Sequence, residues 1–122
     1  MKKIEILENR RKWVNHLLDP NTKKTIHKLE HIDNPECRCC LGHGCHVLNL
    51  ERVVGTNVVQ YCGNSALAPT ELVERMGIKK TSLLIKMNDG EDKSPQEIGK
   101  YLGSIMEDEN SEVFKPLSNF SD

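Results

Sequence analysis

Within ten residues, Cys37 to His46, the chain places four of its five cysteines and two of its five histidines. A segment so rich in thiol and imidazole has two physical uses. It can gather ligands for a metal or thiol centre, or it can form a tight buried turn in which small side chains, with Gly42 and Gly44, admit close backbone approach. Composition bears on the choice. Aromatic residues make up only 4% of the 122, so the core must be filled by Leu, Ile, Val and Met, and each buried thiol gains value as a small hydrophobe.

The length suits one domain with a modest core. With 37% hydrophobic and 29% charged residues and a net charge of -1, the composition is that of a globular protein rather than a disordered or collagenous one. No stretch reaches the roughly 18 apolar residues of a membrane span, and Met1-Lys2-Lys3-Ile4-Glu5 lacks an apolar signal region. A cytoplasmic location without membrane contact is expected, with the cysteines reduced. Residues 1–61 carry 10 basic against 7 acidic side chains and residues 62–122 carry 7 against 11. The basic residues Lys2, Lys3, Arg10, Arg11, Lys12, Lys23, Lys24 and Lys28 are interspersed with acids. A sequence pI near 6.5 argues for a solvated helix face over a nucleic-acid surface.

Ile4, Leu7, Arg11, Val14 and Leu17 or Leu18, with Ile6 and Trp13 alongside, predict a helix over about Lys2 to Leu18, stopped by Pro20. Thr25 to Ile32 reads as a short helix or an extended arm, and residues 21–36 are left open. His46 to Leu50 finishes a short helix, and Glu51 to Cys62 reads as a hairpin broken at Gly55-Thr56-Asn57. A helix follows at about 69–76, ended by a left-handed Gly77 with apolar Ile78 after it. Thr81 to Met87 predicts a helical turn or two ending in a turn at Asn88-Asp89-Gly90. Ser94-Pro95-Gln96-Glu97 is a capping box opening a helix from Pro95 to about Met106. Residues 107–122 are acidic at first and without period, which predicts a loosely ordered tail.

Four blocks stand in order: Arg11-Lys12-Trp13-Val14; Cys39-Cys40-Leu41-Gly42-x-x-Cys45; Leu67-Ala68-Pro69-x-x-Leu72-Val73-x-x-Met76-Gly77-Ile78; and Met87-Asn88-Asp89-Gly90 ahead of Glu97-Ile98. Over about residues 10 to 106 this order resembles a family of small uncharacterised phage and bacterial proteins. Those proteins share a Cys-Cys-Leu-Gly-x-x-Cys segment and an Asn-Asp-x-Gly helix-start motif. The resemblance implies a phage or mobile-element accessory protein in a host cytoplasm and names no reaction. The chain departs from the family at His43 and His46, where apolar and acidic residues are usual, and at Pro95, where an aromatic is common.

Three uses of the cysteine segment compete. Zinc prefers thiolate and imidazole donors, and Cys37, Cys39, Cys40, His43, Cys45 and His46 could supply them, with His31 and Cys62 in reserve. Cys37 and Cys40 stand two residues apart, as in a knuckle, and Cys40 and His43 repeat that spacing, but there is no second clean Cys-x-x-Cys pair and no standard finger spacing. A nucleophilic Cys45 beside His46, or Cys40 near His43, lacks a third orienting group. The remaining reading is structural: Cys39, Cys40 and Cys45 buried, Gly42 admitting a neighbour, Ser94 and Glu97 capping a helix. Arg10, Arg11, Lys12 and Trp13 are candidates for a partner contact, although a lone Trp on an apolar helix face is more often core. His16 and His27 carry no spacing that raises them above surface residues, and Asn88-Asp89-Gly90 lacks the ligand pattern of a calcium loop.

The expectation is an α+β fold, helix-dominated, with a small antiparallel hairpin in one domain over 1–106. In function it is expected to be a non-enzymatic module without cofactor that binds a host macromolecule. Protein is preferred to nucleic acid, and a homodimer is compatible. A zinc-stabilised binding module built on the Cys/His residues of 31–62 is the second reading, and a cysteine-dependent enzyme the third.

Overall fold

The computed structural model describes all residues from Met1 to Asp122. Helix α1 (Lys3–Leu18) crosses the centre of the molecule and packs against α2 (Cys40–Val47), α3 (Thr70–Met76) and α5 (Pro95–Ile105). Its buried face is Ile6, Asn9, Arg10, Trp13, Val14 and Leu17. The period is helical, but the face is turned from the stripe read off the sequence: Ile4 is exposed, and Arg10 rather than Arg11 lies inside. This corrects the contact patch. Arg10 and Trp13 are core residues, and only Arg11 and Lys12 of the four face solvent.

Arg10 is tolerated inside because four backbone carbonyls receive its guanidinium. Nε donates to Met76 O at 2.8 Å, Nη1 to Met106 O at 2.6 Å, and Nη2 to Gly77 O at 3.2 Å and Lys115 O at 3.0 Å. The first three acceptors lie at or just beyond the ends of α3 and α5, where helices leave carbonyls without partners. Burial lowers the Arg10 pKa to about 10, so the group stays charged at neutral pH. Its guanidinium carbon also sits 4.2 Å from the centroid of Phe114, whose ring meets Trp13 edge-on at 6.2 Å.

Those contacts overturn the loose tail. Ser111, Val113 and Phe114 are buried, the Lys79 amide donates to Val113 O at 2.6 Å, and the Lys3 amide donates to Ser121 O at 2.7 Å. The acidic stretch hides one apolar pair, Val113-Phe114. A lone pair of this kind shows no period in sequence yet buries a full aromatic against Trp13.

The hairpin pairs β1 (Arg52–Val54) with β2 (Val59–Tyr61) in antiparallel register, Arg52 opposite Tyr61 and Val54 opposite Val59. Only β2 is covered, with Val59 and Tyr61 buried while β1 is exposed throughout. Helix α3 ends as read: Gly77 adopts φ 63°, and the Ile78 amide returns to Val73 O at 2.9 Å, which satisfies an orphan carbonyl. Helix α5 opens with the full capping box, Ser94 accepting the Glu97 amide and Glu97 accepting the Ser94 amide.

One segment resolves the choice between a short helix and an extended arm, and another differs from expectation. Residues 19–39 form no helix; isolated bridges pair Lys23 with Cys37 and Glu30 with Arg38, so the segment folds back on itself as an extended arm. Between α3 and α5, helix α4 (Ser82–Ile85) does not stop at a turn but widens into a π-helical turn over Lys86–Gly90. Single π turns inside helices change which way side chains face, and here Asn88 is directed inward.

Candidate functional site

The cysteine segment builds α2. Cys39 is its N-cap in extended conformation, and its Sγ accepts the Gly42 amide at 3.4 Å. Cys39, Cys40 and Cys45 all lie in the core, whereas Cys37 and Cys62 are half-buried. Burial is the first cause of each thiol's shift: Cys39 is pushed up to about 11, and Cys40 and Cys45 are driven well above the ordinary thiol value. Gly42 is required by contact, because a Cβ there would stand 1.8 Å from the carbonyl oxygen of Leu29. The Trp13 indole donates to Cys40 O at 2.9 Å and fixes the helix from the other side.

The cysteine motif and the Asn-Asp-Gly motif meet. Asn88 Oδ1 accepts the Cys40 amide at 3.1 Å, and its Nδ2 donates to Thr25 O at 3.1 Å and to Asp89 Oδ1 at 2.7 Å. Asp89 Oδ1 also accepts the His27 amide at 3.3 Å, while Oδ2 faces His27 Nδ1 at 3.3 Å. His27 holds φ 63°, a left-handed conformation uncommon outside glycine and a recurring mark of functional sites.

Around this junction lies an open cavity of about 210 Å³. Leu41, Leu67 and Ile85 supply apolar walls, Cys39 and Cys40 reach it, and His27, Lys28 and Asp89 bring polar groups. Leu67 is 68% exposed beside it. The cavity thus joins a thiol, an imidazole and a carboxylate, yet the sulfur of Cys39 bonds to the backbone of Gly42 and that of Cys40 to Leu84 O, not to the imidazole.

A second polar group sits under the hairpin. Glu30 is fully buried and accepts from Tyr61 Oη at 2.6 Å, from Arg38 Nε at 3.2 Å and from both Nε and Nη2 of Arg52. Burial alone would raise its pKa, but the hydrogen bonds from Arg52 and Tyr61 and the charge of Arg38 outweigh it and the net shift is downward. This is an ion cluster that ties the 19–39 arm to β1 and β2, with no cavity beside it, and its role is structural.

A third group joins three imidazoles. His43 is buried; its Nε2 lies 2.6 Å from Lys23 O and must donate there, which leaves Nδ1 to accept from His16 Nε2 at 2.9 Å. His46 stacks beside His16 at 5.3 Å between centroids. Burial lowers all three, His43 to about 3.

Of the zinc candidates, then, Cys39, Cys40 and Cys45 are in the core, His43 is committed to two hydrogen bonds, and Cys37 and His46 lie nearer the surface. No three of the chain's His, Cys, Asp and Glu side chains converge as a metal-holding group. The residues that sequence reasoning passed over are His27 and Asp89. Asn88-Asp89-Gly90 was legible only as a turn, and nothing local marks His27 as its partner. No family model matches the chain, and no curated protein or solved structure matches it either.

Proposed function

We propose that this chain is a non-enzymatic binding module, an accessory protein of phage or mobile-element type, that acts by occupying the surface of a host protein through the Cys39–Asp89 cavity. The observation that carries this reading is an apolar cavity of side-chain size, open to solvent, with Leu67 exposed at its edge. Such pockets receive the anchor residues of partner proteins. The thiols serve the wall of the cavity rather than chemistry, because burial keeps them protonated and the two that reach it bond to backbone. Protein is favoured over nucleic acid since the chain is nearly neutral.

The test is a comparison of wild type with Leu67→Asp as immobilised bait in host extract. A partner retained by wild type should be lost, or bound at least about tenfold more weakly, by the variant with unchanged melting temperature. Equal retention of that partner by both would overturn the assignment to this face.

A further inference from the structure

We infer that the cavity between α2 and the π turn is a receptor for a phenol, supplied by a tyrosine side chain of the partner protein. The inference rests on the binding-module reading and names its anchor. Size comes first. A cavity of about 210 Å³ exceeds the roughly 150 Å³ that accommodates benzene in an engineered apolar cavity, which leaves room for a substituent on the ring. The thiols of Cys39 and Cys40 offer polarisable neighbours for an aromatic face or edge.

Charge selects against ionic occupants. Lys28 and Asp89 line the same cavity with opposite sign, so neither a cation nor an anion gains over a neutral group. One polar atom is left over. Asp89 is already engaged by the His27 amide and by Asn88 Nδ2, and its Oδ2 faces His27 Nδ1 at 3.3 Å. Nε2, the ring's other nitrogen, is left for an occupant, and a hydroxyl, which both donates and accepts, pairs with it whichever role that nitrogen takes. His27 is 71% exposed on the side chain and lines the cavity, where an occupant's hydroxyl can reach it. An apolar ring bearing one hydroxyl fits size, charge and hydrogen bonding together; phenylalanine lacks the hydroxyl, and lysine and glutamate carry the wrong charge.

The experiment titrates isotopically labelled full-length protein with p-cresol, toluene, benzylamine and benzoate, following amide shifts. With p-cresol, saturating shifts are expected at Leu41, Ile85 and His27, and toluene should bind about three- to tenfold more weakly, the worth of one neutral hydrogen bond. N-acetyltyrosine amide should exceed N-acetylphenylalanine amide in the same way. His27→Gly, which keeps the left-handed backbone without strain, should erase the preference for p-cresol over toluene. Absence of saturating shifts, equal binding of p-cresol and toluene, or tighter binding of benzylamine or benzoate would each overturn the proposal, as would a preference that survives His27→Gly. Loss of a captured partner in Leu67→Asp alongside failure of p-cresol would overturn the phenol while leaving the binding face in place.

Discussion

Asn88 joins the two motifs of the chain through Cys40, its side-chain oxygen accepting the Cys40 amide at 3.1 Å across forty-eight positions. A helix start has amides without intrahelical partners, and Cys40 is the first residue of α2. Asn88 therefore caps a helix it does not belong to, while its amide nitrogen pins Thr25.

Asn88→Ala should lower unfolding free energy by about 3 kcal/mol in urea denaturation, since it strands a buried amide and a carbonyl that water reaches poorly. A loss below about 1 kcal/mol would show that another group takes over the cap.

Gly42→Ala should be the most damaging single methyl addition in the chain, costing about 4 kcal/mol or preventing folding. The methyl would meet backbone, the Leu29 carbonyl, which cannot rotate away as a side chain could. Circular dichroism and melting of the purified variant check this.

Glu30→Gln should cost roughly 3 kcal/mol at neutral pH, because it leaves Arg38 and Arg52 without their counter-charge; the partial exposure of Arg52 moderates the figure. Its folded pKa is depressed, so the stabilisation is full above the ordinary carboxylate value and disappears as pH falls through the lowered one. Wild-type and variant stabilities measured against pH should converge in acid.

His43 gives a different window. Unfolded, the imidazole takes up a proton near about 6.5; folded, it resists until about 3. Between those values the unfolded state holds the extra proton, so stability falls as pH drops, by up to about 1.4 kcal/mol per pH unit from this residue. His43→Gln should flatten that slope in chemical denaturation series between pH 4 and 6.5, on the order of one proton.

Iodoacetamide at mildly alkaline pH should modify Cys37 and Cys62 of the native protein first, and Cys39, Cys40 and Cys45 only on unfolding. Mass spectrometry of digested protein reads this directly. Rapid native labelling of Cys39 would contradict its place as a buried cap and favour a nucleophilic thiol.

The local signals were legible where chemistry and position coincide within a few residues. The Ser94–Glu97 box, the left-handed Gly77, the stop at Pro20 and the Gly55-Thr56-Asn57 hairpin depend on contacts between near neighbours, and each was visible in composition and spacing. The rotation of α1 was also written in the chain, at positions 6, 10, 13 and 17. It was obscured because Arg10 is charged, and only the converging carbonyls of Met76, Gly77, Met106 and Lys115 make burial of that charge tolerable.

Short-range preferences in the amino-acid order were enough to set the helix-dominated α+β class, most element boundaries and the concentration of thiols in one segment. Tertiary packing alone placed Phe114 against Trp13, turned Asn88 inward through the π turn, and brought His27 and Asp89 to the mouth of one cavity. The physical reason is distance along the chain: caps and turns act over three or four residues, whereas a pocket is made by surfaces whose residues lie twelve to sixty-odd positions apart, and no local pattern encodes which of them will meet.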